Sequence, residues 1–421
     1  MLDASRKEAG SEVGEVTGGE RPRSSTDRPV VLVLTGYYLP GYRAGGPVRS
    51  LSNMIERLGD EFEFWVVTPD HDHGTTERYP DVVPGVWQSV DKAKVLYLAD
   101  EDLRSGALTR VLATHDHDVL YLNSFFHPWY TVRPLWQRLR QRSALPAKAL
   151  VAPRGELGPG ALRLKAFKKR AFMALSRVAG LYADVSWHAT GADEARAVRA
   201  FVRQSASVFV APNIATTRFA TEPNTATTRK EPGELRLVFA SRIMRKKNVL
   251  YAIRALSQLR GSVSFDILGP IEDEAYWRQC LAATRSLPNG VVVRHRGAIP
   301  PDEMPRMLDG YDVFFMPTLN ENYGHAIVEA LARGLPAVIS DQTPWRNLAA
   351  AGAGADLDLA SPDAFTAVLQ AYVDMDDAEF QAARAAARAF GCDHVLNGDA
   401  VVSTRRMLHA CVENARETSG A

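Results

Sequence analysis

The apolar positions of this chain fall in short unbroken runs, separated by polar, glycine-bearing connections and by amphipathic stretches. That is the pattern of parallel strands buried on both faces and alternating with helices. Arg28–Gly36 reads as a first strand, and Pro47–Leu58 as an amphipathic helix with proline in its first turn. Further strands are expected at Phe62–Thr68, Ala93–Leu98, Asp118–Leu122, Ala149–Ala152, Ser186–Thr190 and Val208–Asn213. Periodicity then stops: Thr216 to Pro232 is rich in Thr, Glu, Pro and Lys and reads as a linker. A second α/β run follows, with a strand at Leu235–Ala240, a helix from Asn248 to Leu259, strands at Ser264–Gly269 and Val291–Gly297, the apolar run Asp312–Pro317 and a strand ending at Ser340. The stretch Leu396–Glu413 again has helical periodicity. The pattern predicts an α/β protein of two Rossmann-like domains, 29–215 and 233–395, facing each other across a cleft, with a linker at 216–232 and a C-terminal segment, 396–421, whose helix packs back across that linker.

Composition narrows the partners. The chain has 421 residues, 46% hydrophobic and 24% charged, enough for about two domains with their own cores. Fifty Lys+Arg against 49 Asp+Glu leave a formal net charge of +1, so the bulk balance gives no reason to expect nucleic acid. Cys280, Cys392 and Cys411 are far apart and lack metal-ligand spacing, as expected of packing residues in a reducing compartment. Residues 1–28 are rich in Glu, Arg, Gly and Ser and read as a disordered tail without the apolar core of a signal peptide. No stretch approaches the ~20 apolar residues of a bilayer span, so cytoplasmic residence is the expectation.

Chemistry concentrates at Asn320–Leu331, where Glu321 and Glu329 flank a glycine turn, Gly324-His325-Ala326, that opens a helix just after an apolar strand. Free N–H groups at such a helix start form an anion pocket at the carboxyl edge of a parallel sheet, and carboxylates beside it suit sugar and ribose hydroxyls. Ser241–Asn248, after the first strand of the second half, carries Arg242, Arg245, Lys246 and Lys247, a cluster suited to a diphosphate. Gly45-Gly46 after the first strand lets backbone N–H groups approach a ligand, and Asn123 and His127 follow another strand of the first half. Asp70-His71-Asp72-His73 and His115-Asp116-His117-Asp118 alternate metal-ligand types, but both lie in polar connections and read as solvated turns. The cations Arg163–Arg170, within the aliphatic and aromatic stretch Ala161–Leu175, fit either an anionic membrane surface or a helix packed by its apolar stripe.

Taken together, Arg242 to Lys247, Gly269-Pro270, Arg296-Gly297, and Glu321 and Glu329 running into Gly334-Leu335-Pro336 resemble the nucleotide-binding half of retaining glycosyltransferases of family 4. The first half resembles the same family through Gly45-Gly46-Pro47, Pro153-Arg154-Gly155 and His188-Ala189-Thr190. The resemblance implies a GT-B fold, a UDP- or GDP-linked sugar as donor, retention of anomeric configuration and neither cofactor nor metal. It puts Arg242 and Lys247 on the donor phosphates, Glu321 on the donor sugar and Glu329 on the ribose, with Gly45, Gly46, Gly269, Arg296, Gly324, His325 and Ala326 also on the donor. Where many relatives carry a histidine before the donor sugar this chain has Asn123, with His127 a few residues on; these and Arg154 are candidates for the acceptor and donor-sugar side. Asn248 replaces the usual glycine after Lys247. The expectation is a glycosyltransferase acting on a saccharide or lipid-linked acceptor in cell-surface polysaccharide synthesis. A non-catalytic sugar-nucleotide-binding relative, and a metal-dependent enzyme using Asp70 and Asp72 or Asp116 and Asp118, are the alternatives.

Overall fold

The computed structural model describes residues 28–141, 148–163, 166–202, 206–222 and 229–419. The expected N-terminal tail, except Arg28, lies outside these residues, as do 223–228 of the expected linker and 164–165 of the basic stretch. The first domain is built on an eight-stranded sheet of β1 (Val30–Leu34), β2 (Glu63–Pro69), β3 (Trp87–Val90), β4 (Ala93–Leu98), β5 (Val119–Leu122), β6 (Lys148–Val151), β7 (Val185–Ala189) and β8 (Val208–Val210). Their order is β3-β4-β2-β1-β5-β6-β7-β8, parallel except for the β3 edge. The second domain has an all-parallel sheet of β9 (Glu234–Ala240), β10 (Ser262–Leu268), β11 (Val291–Gly297), β12 (Val313–Met316), β13 (Ala337–Ser340) and β14 (Gly354–Leu357), ordered β11-β10-β9-β12-β13-β14. Every residue of β1, β5, β12 and β13 is buried, which is why these strands read as unbroken apolar runs. In each sheet the order reverses beside the strand that opens the domain, β1 or β9, and loops at the carboxyl ends of neighbouring strands part there to leave a crevice.

Among the described residues three apolar clusters form the cores, one on each face of the first sheet and one in the second domain. Ile214 belongs to the first domain's core and Ala215 to the second's. Val395, near the end of helix Asp377–Asn397, is still in the second core, whereas Met407, Leu408, Cys411 and Val412 of helix Ala400–Ser419 pack among first-domain residues such as Val119 and Leu150. The C-terminal helix therefore does pack back, but as a separate element after a helix that starts at a capping box, Asp376 with Glu379.

Two strands were not foreseen. β3 is a short, half-exposed edge, and β14 reads Gly-Ala-Asp-Leu, so neither carries an apolar run. The helix after β9 is also shorter than expected, Val249–Ala255 with a tighter turn at Leu256–Gln258.

Candidate functional site

On the second-domain wall, β9 and β12 are neighbours, so the loops that leave their carboxyl ends meet. They are stitched together by main-chain groups: the carbonyl of Lys246 accepts from Leu319 N–H at 2.9 Å and Thr318 Oγ1 at 3.1 Å. Asn248 adds a third tie, Nδ2 donating to the Pro317 carbonyl at 2.9 Å. Its backbone is left-handed, φ 61°, and its side chain makes no cap bond, so glycine and asparagine share this position for their tolerance of that conformation and not for capping. Lys247 pairs with Glu321, and Arg242 Nη1 donates to Glu272 Oε1 at 2.8 Å. Gly269, φ 137°, closes the wall from β10: a Cβ there would lie 2.1 Å from the Ser241 carbonyl oxygen.

Helix His325–Ala332 follows the second loop, and its first N–H groups, of His325 and Ala326, have no intrahelical acceptor. The first domain reaches this helix through Gly46–Leu58: Arg49 pairs with Glu329, and Ser50 Oγ lies 2.9 Å from His325 Nε2. Burial, then the nearby Arg49 and Arg154, pushes the His325 pKa down to about 3, so the ring is neutral at ordinary pH. Arg242 Nε is 3.7 Å from where a Cβ of Gly45 would stand, which puts the glycine loop opposite the cation cluster.

These elements enclose a cavity of about 290 Å³. Arg242, Lys247, Glu321, Gly45, Gly46, Glu329, Gly324, His325, Ala326, Gly269 and Arg154 all line it. Arg296 does not. Side chains alternate along β11, so Arg294 and Arg296 share a face and each donates Nε to the buried Asp266 of β10 at 2.8 Å, in a separate groove with Tyr311. Asn123 and His127 also stay off the cavity. Asn123 is buried behind Arg154, and His127 Nδ1 accepts from Tyr130 N–H at 3.2 Å while its ring packs on Gly36; burial pushes its pKa down to about 4.

Arg154 is held by three neutral acceptors. Nε donates to Asn123 Oδ1 at 2.7 Å, Nη1 to Asn213 Oδ1 at 2.5 Å and Nη2 to Tyr121 Oη at 2.8 Å. Behind Tyr121, His188 Nδ1 lies 2.7 Å from the phenol and Nε2 lies 2.9 Å from the Ala211 carbonyl. A carbonyl only accepts, so Nε2 carries the proton, Nδ1 accepts from Tyr121, and the phenol oxygen stays open to Arg154. Burial, and then Arg154, pushes the His188 pKa down to about 3.

Sequence reasoning missed Arg49, Ser50 and Asn213, all on the cavity. Arg49 and Ser50 read only as polar positions of an amphipathic helix; the signal available was their place one turn into a helix that follows Gly45-Gly46. The stretches of alternating Asp and His are not the solvated turns expected, since Asp70, Asp72 and His115 are buried, and Asp70, Asp72 and Asp118 serve structure. Asp70 pairs with Arg78 at 2.9 Å, Asp72 Oδ2 takes the N–H groups of Tyr42 and Arg43 at 3.0 and 3.1 Å, and Asp118 takes that of Val30 at 2.8 Å. Among the described residues no group of three or more His, Cys, Asp or Glu converges in a way that could hold a metal, and no helix is long and apolar enough to cross a membrane.

Residues 221–388 match the family Glycosyl transferases group 1. Among solved structures, HepE from Anabaena, in complex with UDP and glucose, is 15% identical and superposes with a TM-score of 0.63 over 91% of this chain and 99% of that one. Sucrose-phosphate synthase from Thermosynechococcus elongatus is 14% identical, with a TM-score of 0.59 over 92% and 100%. WaaG, a glycosyltransferase involved in lipopolysaccharide biosynthesis, is 12% identical, with a TM-score of 0.54 over 89% and 98%. No curated protein matches the sequence. The likeness to these structures spans both domains and the family match covers most of the second, so the chain is a two-domain GT-B protein whose second half matches glycosyl transferases group 1.

Proposed function

We propose that this protein transfers a sugar of hexose type from a nucleotide diphosphate sugar, UDP- or GDP-linked, to a saccharide or lipid-linked acceptor in cell-surface polysaccharide synthesis, with retention and without a metal. One observation carries the reading: Arg242 and Lys247, Glu321 and Glu329, and a helix N-terminus converge on one cavity between the domains. The donor diphosphate sits between the helix start at His325 and Ala326 and the side chains of Arg242 and Lys247. As the glycosidic bond breaks, negative charge grows on the leaving diphosphate, and fixed cations stabilise that state more than the ground state. A bound diphosphate competes with Glu321 for Lys247 and with Glu272 for Arg242, which turns Glu321 toward the hydroxyls of the transferred sugar. Glu329, paired with Arg49, accepts from the ribose hydroxyls. The apolar side chains Ile299, Met304 and Leu308 on the same cavity suit the face of a base.

HepE, with UDP and glucose, supports a nucleotide-sugar donor, and WaaG supports a role in surface polysaccharide. Asn123, the foothold of a non-catalytic reading, orients Arg154 and does not argue against turnover. On helix Ala166–Val178, Phe167, Leu175 and Val178 are 86, 70 and 89% exposed beside Lys168 and Arg170, which supports a peripheral site on an anionic inner membrane face. Calorimetry with UDP-, GDP- and ADP-sugars, with and without chelator, tests the donor: binding of one of them that survives chelation is expected, and no binding of any would overturn the reading. The anomeric configuration of the product by proton NMR tests retention, and co-flotation with anionic vesicles at low salt tests the membrane contact.

A further inference from the structure

We infer that Arg154 is a subsite for a carboxylate or phosphate carried by one of the two sugars that meet in the cleft, an inference that rests on the proposed function. A guanidinium has five N–H donors. The cradle of Asn123, Asn213 and Tyr121 takes three of them, which leaves two, and all three acceptors are neutral. Among the described residues no Asp or Glu forms an ion pair with Arg154, nor with Arg43 or Lys246 of the same cavity, whereas Arg49, Arg242 and Lys247 each have a carboxylate; of the unpaired three, Arg154 alone is held by a cradle of three side chains. Glu194 stands nearby, but its Oε1 accepts from Gly155 N–H at 2.5 Å and its Oε2 from the N–H and Oγ1 of Thr190 at 2.7 and 2.6 Å. The Arg154 guanidinium is thus fixed at the cavity wall with no carboxylate in salt-bridge contact, and its two remaining N–H donors are left for a ligand, where an anion makes the stronger, charge-assisted bonds.

The backbone points the same way. Arg154 has φ 53°, a left-handed conformation that is strained for a non-glycine residue. Strain of that kind at a cleft is a mark of a site held for function. It aims the side chain into a cradle of otherwise buried polar groups instead of out to solvent.

Position decides which part of the substrates it meets. A Cβ on Gly155 would lie 2.2 Å from Asn322 Nδ2, so Arg154 stands against the loop that carries Glu321, at the sugar end of the cavity. The diphosphate already has Arg242, Lys247 and the helix start. What remains for Arg154 is an acidic substituent on the transferred sugar or on the acceptor beside it, with Thr190 and Asn213 on the same wall to meet hydroxyls.

Calorimetry on the full chain separates the two sources. One arm compares UDP-glucuronate with UDP-glucose; the other, with UDP saturating, compares glucuronate and glucose 6-phosphate with glucose. Wild type is expected to bind the acidic member of one arm at least tenfold more tightly than its neutral counterpart. Arg154→Gln should abolish that gap and leave UDP affinity within twofold, and Arg154→Lys should keep part of it. No acidic preference in either arm, or an Arg154→Gln variant that weakens acidic and neutral sugars alike, overturns the inference while UDP binding still upholds the donor site; absence of UDP binding overturns both. If Arg154→Gln does not fold, the wild-type comparison and Arg154→Lys decide it.

Discussion

On the second-domain wall of the cleft, Lys247 and Arg242 each lie against a carboxylate, Glu321 and Glu272; on the first-domain wall Arg154 lies among two amides and a phenol. The first arrangement is a set of exchangeable ion pairs. Each cation is neutralised before a ligand arrives, and binding replaces one anionic partner by another, so the wall keeps its shape while its charges change hands. The second is a fixed cradle whose charge is left for the ligand to neutralise. Exchange suits a diphosphate that must also be released, whereas a cradle suits selection among sugars that differ in charge.

The largest effect expected is on the exchangeable side. Lys247→Ala or Arg242→Ala should weaken nucleoside diphosphate binding roughly ten- to hundredfold, since a charge-assisted hydrogen bond contributes about 1.5–3 kcal/mol; unchanged titrations for both variants would move the diphosphate elsewhere. Next, the two carboxylates should part company. Glu329→Ala is expected to weaken both nucleotide binding and transfer, because it also strands Arg49, while Glu321→Gln should cut turnover severalfold more than it cuts affinity. The opposite split, read from steady-state kinetics beside calorimetry, would interchange their roles.

Acid acts on both walls alike. Burial pushes the His188 pKa from its ordinary 6.5 down to about 3 in the folded chain, so the unfolded state binds the extra proton and stability is lost as pH falls below 6.5 toward 3. His325 acts in the same direction and over the same window. A protonated His188 can no longer accept from Tyr121 and sets a second cation beside Arg154. Urea unfolding at pH 7 and pH 5 should therefore show a lower free energy at pH 5, and equal values would mean that these rings are already charged when folded. The smallest change is Tyr121→Phe, which removes one acceptor from Arg154 and one donor from His188. It should cost about 1 kcal/mol of unfolding free energy, read in the same assay.

Much of the second-domain wall was legible because it is local. Glu321, Gly324 and Glu329 lie on one loop and helix, and Arg242 to Lys247 on another, each following a strand that its apolar run gave away. The first-domain wall was less legible because it is assembled from afar: Tyr121, Asn123, Arg154, His188 and Asn213 come from four segments and meet only through the sheet order β5-β6-β7-β8. Arg296 shows a different limit. Its position at the carboxyl end of β11 is right for a ligand, but strand alternation, which turns it to Asp266, has no local signal at an edge where exposed and half-buried residues mix. β3 and β14 escaped for a related reason, since edge strands need not be apolar.

Helix Gly46–Leu58 gathers more than its length suggests. Asn53 Nδ2 holds the Ile214 carbonyl at 2.9 Å and Glu56 takes the Thr217 hydroxyl at 3.0 Å, where the chain first leaves the first domain, and Arg57 Nη1 holds the Val395 carbonyl at 3.2 Å, where it returns. Its opening turn, meanwhile, grips Glu329 and His325. One rod thus spans the join: its rear half binds the chain at both crossings between the domains and its front turn binds the opposite wall of the cavity, so a single helix ties the cavity to the seam between the domains.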